Sequence, residues 1–253
     1  MNRRALINLI LFALAAVLAG IAYLDLSRSG VTALPTLTDL SPDTITEVRI
    51  RRGEGDEIHL VKDAGRWQMR TPYLVPAADE RINRLLPIAA TPIRRRFSVA
   101  EAELARFGLA APELRLELNG VGIDFGATEP VRYRRYTLIQ DEIRLIDNGF
   151  QHHLIAPAED YVSRRILPEG AKVDAARSKL RPLDPTVLTD LAADTVSPLR
   201  GSPEGIELEI WLVGDEKPIA CILSYDRREL ALPERGVLYG FRDPLPLRPA
   251  SAP

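Results

Sequence analysis

The 253-residue chain has a single cysteine, Cys221, and three histidines. One thiol excludes an internal disulfide framework and a cysteine-rich metal centre. His152 and His153 are adjacent, so on a helix they point about 100° apart and cannot clamp one ion; His59 falls in a predicted strand. No metal or cofactor is therefore expected. Lysine is scarce too: of 33 basic residues only Lys62, Lys172, Lys179 and Lys217 are lysines, and a net charge of −2 gives no global attraction to nucleic acid. No serine has a Gly-x-Ser-x-Gly setting and no glycine-rich phosphate loop is present. Asp124, Asp141 and Asp147 adjoin predicted hairpin turns, where short carboxylates serve turn chemistry. No catalytic residue is assigned on these grounds, and the chain reads as noncatalytic.

Long hydrophobic runs are also few, because there is only one. Residues 5–24 (ALINLILFALAAVLAGIAYL) form an unbroken apolar stretch behind Arg3 and Arg4. At about 1.5 Å per residue it is long enough to cross roughly 30 Å of bilayer hydrocarbon. Cationic flanks stay on the cytoplasmic side, so the stretch predicts a single-pass anchor in the inner (cytoplasmic) membrane with its N-terminus cytoplasmic and the rest of the chain extracytoplasmic or periplasmic. The run exceeds the core of a cleaved secretory signal, which favours an uncleaved anchor. Within it Ala15, Ala16, Ala19 and Gly20 form a small-residue stripe of the kind that lets two membrane helices approach closely.

The remainder, within a chain that is 46% hydrophobic and 27% charged, predicts an α+β fold in which antiparallel hairpins alternate with a few short helices. The expected organisation is an anchor over 1–26, a tether over 27–44, an α+β domain over 45–168, a β-rich extension or second subdomain over 169–242 and a disordered tail over 243–253. Residues 47–52 and 57–62 alternate apolar and polar about a Gly53-Glu54-Gly55-Asp56 turn, and residues 66–70 make a third short strand. Ile82, Leu85, Leu86 and Ala89 have helical spacing, with Pro87 ending or kinking the helix. Ser98-Val99-Ala100-Glu101 has the form of a capping box opening a second helix that stops at Gly108. Asn119-Gly120 joins two strands as a tight hairpin turn, and residues 133–139 and 142–146 repeat the arrangement about Gln140-Asp141. Further on, Asp184-Pro185 opens a helix, and residues 205–213, 219–225 and 237–241 read as strands forming either a second sheet or an extension of the first.

Arginine recurs at Arg94-Arg95-Arg96, Arg132, Arg134-Arg135 and Arg164-Arg165. Several of these residues on one sheet face form a candidate anion- or partner-binding surface, because guanidinium forks bind carboxylate and phosphate bidentately. The plainer reading is a solvated face balanced by neighbouring acids.

The succession Leu37-Thr38-Asp39-Leu40-Ser41-Pro42, Ile45-Thr46-Glu47-Val48, Gly65-Arg66-Trp67, Phe107-Gly108-Leu109-Ala110-Ala111-Pro112, Ile123 to Gly126, Arg135-Tyr136-Thr137-Leu138 and Ile143-Arg144-Leu145-Ile146 resembles the DUF4340 family over about residues 36–167. The tryptophan of that family normally follows glycine directly, whereas Arg66 intervenes here. The resemblance implies a membrane helix followed by an outward α+β domain, in some members beside or fused to membrane proteins of gliding-type ABC transport systems. It carries no established catalytic residues. The functional expectation is a noncatalytic membrane-anchored accessory or scaffold protein with a membrane-protein or envelope partner. The alternatives are a module binding an anionic envelope polymer or lipid headgroup, and a hydrolase with an unrecognised site.

Overall fold

A computed structural model of the chain describes residues 12–20, 34–99, 103–178, 182–183 and 186–246. The chain divides into two compact units, Met1–Pro35 and Thr36–Pro253. In the first unit residues 12–20 are helical (α1), exposed, and carry all four small residues of the predicted stripe: Ala15, Ala16, Ala19 and Gly20. Among the described residues no helix is long and apolar enough to cross a membrane. The rest of the apolar run, with Arg3, Arg4 and Asp25, lies outside the described residues.

The second unit is mostly antiparallel β-sheet with a few short helices. Nine strands form its first sheet: β1 (Glu47–Arg52), β2 (Asp56–Asp63), β3 (Arg66–Thr71), β4 (Val75–Pro76), β5 (Ile93–Ser98), β6 (Leu114–Leu118), β7 (Val121–Thr128), β8 (Arg134–Ile139) and β9 (Glu142–Asp147). Their spatial order is β4-β3-β2-β1-β6-β7-β8-β9-β5. The period-2 alternation puts Val48, Ile50, Ile58, Leu60, Met69, Leu116, Leu118 and Ile123 on one buried face. Helix α2 (Asp79–Leu85) covers that face with Ile82 and Leu85, and the tight turn Leu86–Ala90 adds Leu86, Ile88 and Ala89. The opposite face of the central strands is a lattice of ion pairs in which Arg49 meets Glu47 at 2.7 Å, Arg51 meets Glu117 at 3.3 Å and Arg115 meets Asp124 at 3.1 Å. Asp124 therefore serves an ion pair rather than a turn.

A separate seven-stranded sheet follows: β10 (Val173–Ser178), β11 (Pro182–Leu183), β12 (Thr195–Pro198), β13 (Ile206–Leu212), β14 (Ile219–Leu223), β15 (Glu229–Leu232) and β16 (Val237–Gly240). Their order is β11-β10-β13-β14-β15-β16-β12. Its inner residues, among them Leu208, Ile210, Cys221, Leu223 and Tyr239, belong to the same continuous core as those of the first sheet. A strap joins the two. Val162 bridges Ala77 beside β4, and Arg165 bridges Ala192 ahead of β12. Ile166 and Leu167 are buried between these contacts.

The hairpins β1–β2, β6–β7 and β8–β9 stand where alternation and turn chemistry predict them. Among the described residues the second predicted helix does not begin at Ser98. Ser98 ends β5 opposite Glu142, and Val99 N–H continues that ladder to the Asp141 carbonyl at 3.2 Å. Pairing in the sheet thus takes Ser98, the residue that would have capped the helix, and among the described residues the one-turn segment Leu104–Phe107 precedes Gly108, whose φ is 66°. Ala100 and Glu101 of the expected capping box lie outside the described residues, as do Asp184 and Pro185, but Thr186–Thr189 make a single helical turn (α4). Strands β4, β5, β10, β11, β12 and β15 carry no clear sequence signal. They are short, or, like the Arg94-Arg95-Arg96 run of β5, lack alternation because one edge is exposed. Leu245, in the expected tail, is buried, and its N–H bonds the Arg227 carbonyl at 2.8 Å.

The Asn119-Gly120 turn does more than close a hairpin. Asn119, at φ 45°, accepts the Thr46 and Glu47 N–H groups on Oδ1 at 2.9 and 3.0 Å and donates from Nδ2 to the Thr44 carbonyl at 3.0 Å. It therefore pins the segment ahead of β1 to the β6–β7 turn. Asn119→Ala is expected to cost about 2 kcal/mol, and Asn119→Asp, which keeps both acceptor contacts, about half that. Urea denaturation that failed to rank wild type above Asp above Ala would contradict this role.

Candidate binding cleft

Where the strap crosses between the sheets it borders an open cleft of about 950 Å³. The lining comes from β3, the start of α2, the strap and the residues entering β12. It includes Arg66, Arg81, Arg84, Arg164 and Arg165, together with six carboxylates: Asp79, Glu80, Glu159, Asp160, Glu169 and Asp194. Local structure explains the concentration. Arg81 and Arg84 lie three apart on the polar side of α2, opposite Ile82 and Leu85, and the strap delivers Arg164 and Arg165 from the other wall.

Two pairs among these charges meet each other, and most of the rest bond backbone groups or neighbours just outside the cleft. Arg81 meets Asp160 at 3.3 Å and stands 5.7 Å from the centroid of the buried Tyr161 ring. Arg84 pairs with Glu80 one helical turn away, and Arg165 meets Asp190 at 3.2 Å. Asp79 accepts the Trp67 N–H at 3.1 Å, fastening α2 to β3, and Asp194 accepts the Arg242 N–H at 2.7 Å. Arg66 donates to the Glu169 carbonyl oxygen. The Tyr73 hydroxyl donates to Glu159, and burial together with that carboxylate raises its pKa well above the ordinary tyrosine value. Ser163 Oγ accepts the Arg165 backbone N–H at 3.1 Å, an arrangement that shapes the strap. Arg164 is exposed and makes no ion pair among the described residues. Chemically, the cleft offers guanidinium forks and carboxylates side by side, the complement of a surface that carries both charges.

Of the arginines singled out from the sequence, Arg164 and Arg165 line this cleft, whereas Arg94, Arg95, Arg96, Arg132, Arg134 and Arg135 lie at the far corner of the first sheet and do not all share one face. Arg94 sits at a bulge in β5, and it shares Asp147 with Arg134 at 2.7 and 3.2 Å. The Arg94 hydrogen bond, supported by Arg134, holds the Asp147 carboxyl below the usual carboxylate range. Asp147 is thus an ion-pair centre and not a turn residue. Arg95 stacks 5.7 Å from the Phe97 ring centroid on the same face as Arg134, while Arg96 lies on the opposite face, 3.6 Å from Glu142. Arg135 is partly buried on that opposite face and donates to Thr128 Oγ1 at 3.4 Å; desolvation lowers its pKa. Arg132 is exposed in the β7–β8 turn. Arg66, Arg81 and Arg84 were missed by sequence reasoning. The i, i+3 spacing of the last two, opposite an apolar face, was the available signal.

His153 is buried on the one-turn helix α3 (Gln151–Leu154), its ring 3.9 Å from that of His152; burial foremost, with the neighbouring positive charges, lowers its pKa. His59 Nε2 lies 2.9 Å from Glu47 Oε1. Among the described residues no three His, Cys, Asp or Glu side chains converge in a way that could hold a metal.

The fold and cleft together define a mostly β, α+β domain of two antiparallel sheets with an open, charge-lined groove at their junction. A family model described as "Domain of unknown function (DUF4340)" matches residues 67–209, more than half of the chain, and the chain belongs to that family. The matched region runs from Trp67 in β3 into β13, so it takes in the strap and part of both sheets. No curated protein and no solved structure matched the chain.

Proposed function

We propose that this protein is a noncatalytic, membrane-anchored accessory or scaffold protein whose folded unit docks a membrane-protein or envelope partner, with the component of an ABC-type transport assembly as the partner class its family resemblance suggests. The observation that carries the reading is the cleft, where arginines and carboxylates stand side by side and several are already held in ion pairs, among them Arg81 with Asp160, Arg84 with Glu80 and Arg165 with Asp190. An acid–base catalyst needs a group poised to exchange a proton, whereas paired charges of both signs suit a surface that trades ion pairs with a protein. The apolar run over residues 5–24 supports an anchored arrangement with the domain outside the cytoplasm. Tethering raises the effective concentration of any membrane partner, so a modest interface is sufficient.

A photo-crosslinker placed at Arg164 in the full chain, expressed at native abundance and irradiated in intact membranes, is expected to give one discrete adduct with a membrane or envelope protein. Arg164→Glu, which leaves the fold intact because the side chain is exposed, is expected to abolish capture by a crosslinker at the neighbouring Gln68. Recovery of free monomer only, from both positions, would refute the docking reading.

A further inference from the structure

We propose that the β7–β8 turn, with the arginines around it, is a contact surface for an anionic phospholipid bilayer. The proposal deepens the membrane-anchored reading and depends on it. The turn spans Glu129 to Tyr133 and closes through the Glu129 N–H to the Arg134 carbonyl at 2.7 Å and the Tyr133 N–H to the Glu129 carbonyl at 3.0 Å. At its tip Val131 is 82% exposed and Tyr133 74% exposed. Tyr133 also sits at φ 53°, a left-handed conformation that glycine adopts freely and a bulky side chain does not. The chain thus holds an aromatic ring outward in a strained position where no packing within the fold uses it. Tyrosine, apolar in body and polar at its tip, is the side chain suited to the headgroup level of a bilayer.

Charge supports the same partner. Arg132 stands between the two exposed apolar residues, and Arg94 and Arg134 divide the single carboxylate of Asp147; with Arg135, four arginines face the two carboxylates of Glu129 and Asp147, which leaves this corner net positive. Anionic headgroups attract clustered arginines within a Debye length. A five-residue tip offers far less than the roughly 800 Å² per side of a stable protein interface, whereas a bilayer can take up single apolar side chains flanked by cations.

The test uses the full chain reconstituted in lipid nanodiscs, with Val131→Cys carrying an environment-sensitive fluorophore; Cys221 is buried and stays unlabelled in the folded protein. Brominated phosphatidylglycerol in a phosphatidylcholine bilayer is expected to quench the label, and the quench is expected to fall away in phosphatidylcholine alone, in about 1 M salt, where the Debye length shrinks to ~3 Å, and in Arg132→Glu. A label at Tyr225→Cys, equally exposed at 74% but in the β14–β15 turn of the second sheet, is expected to stay unquenched. Equal quenching at both sites, or none at 131 while the chain remains bilayer-bound, overturns this proposal and leaves the anchor standing. Failure of the chain to co-float with bilayers at all overturns the anchored reading itself.

Discussion

Raising the pH from 9 to 12 is expected to unfold the Thr36–Pro253 unit cooperatively. Burial pushes the Cys221 thiol from its ordinary value of 9.0 up to about 12, and the Tyr161 and Tyr239 hydroxyls from 10.0 up to about 12. Each group keeps its proton in the folded state at a pH where the unfolded chain has released it. Their contribution is therefore complete below the ordinary values and is lost as pH rises through the folded ones. At about 1.4 kcal/mol per pKa unit, each of the three removes a few kcal/mol by pH 12, comparable in sum with the 5–15 kcal/mol that typically holds a domain together. Tyr73, raised in the same direction, adds repulsion from Glu159 once it ionises. Tyrosinate absorbance and near-ultraviolet circular dichroism should change together, and Cys221 should resist alkylation until they do. Rapid alkylation at pH 9 with the dichroism intact would contradict this account. On the acid side, the lowered pKa of His153 predicts a milder loss of stability as pH falls below 6.5, because the unfolded imidazole binds its proton first.

Trp67→Ala is expected to be the most damaging single substitution at the cleft. The indole is 1% exposed and among the largest fully buried side chains. Around it the backbone is fastened in three directions: N–H to Asp79 of α2, carbonyl to Ala77 N–H, and the ladder to Lys62 of β2. Removing so large a side chain typically costs about 3–5 kcal/mol, or roughly 10–15 °C in Tm for a domain of this size. The comparison with Trp67→Phe is informative, because indole Nε1 is buried without a hydrogen-bond partner among the described residues. Phenylalanine removes that unpaired donor and keeps much of the volume, so its cost should stay below about 2 kcal/mol. Thermal unfolding followed through Trp211 fluorescence separates the two variants. Equal loss in both would mean that the indole nitrogen, and not the packed ring, is what matters.

What the sequence determined by itself is local. The alternation of Val48 and Ile50 against Arg49 and Arg51, the Asn119-Gly120 pair and the spacing of Ile82, Leu85 and Leu86 each encode their element within a few residues, because side-chain period and turn dihedrals are short-range properties. The motifs from Gly65-Arg66-Trp67 onward likewise carried the family. The tertiary structure alone decided which charges meet. Asp147 lies 53 residues from Arg94, and Arg81 lies 79 from Asp160, and only the order of strands in the sheet and the path of the strap bring these pairs together. The same holds for Ser98, whose capping-box pattern favours a helix until the ladder with β9 claims its backbone, and for the cleft, whose arginines come from segments that share no sequence pattern. Backbone hydrogen bonds formed across a sheet satisfy more groups than one local cap does, so long-range pairing prevailed where the two competed.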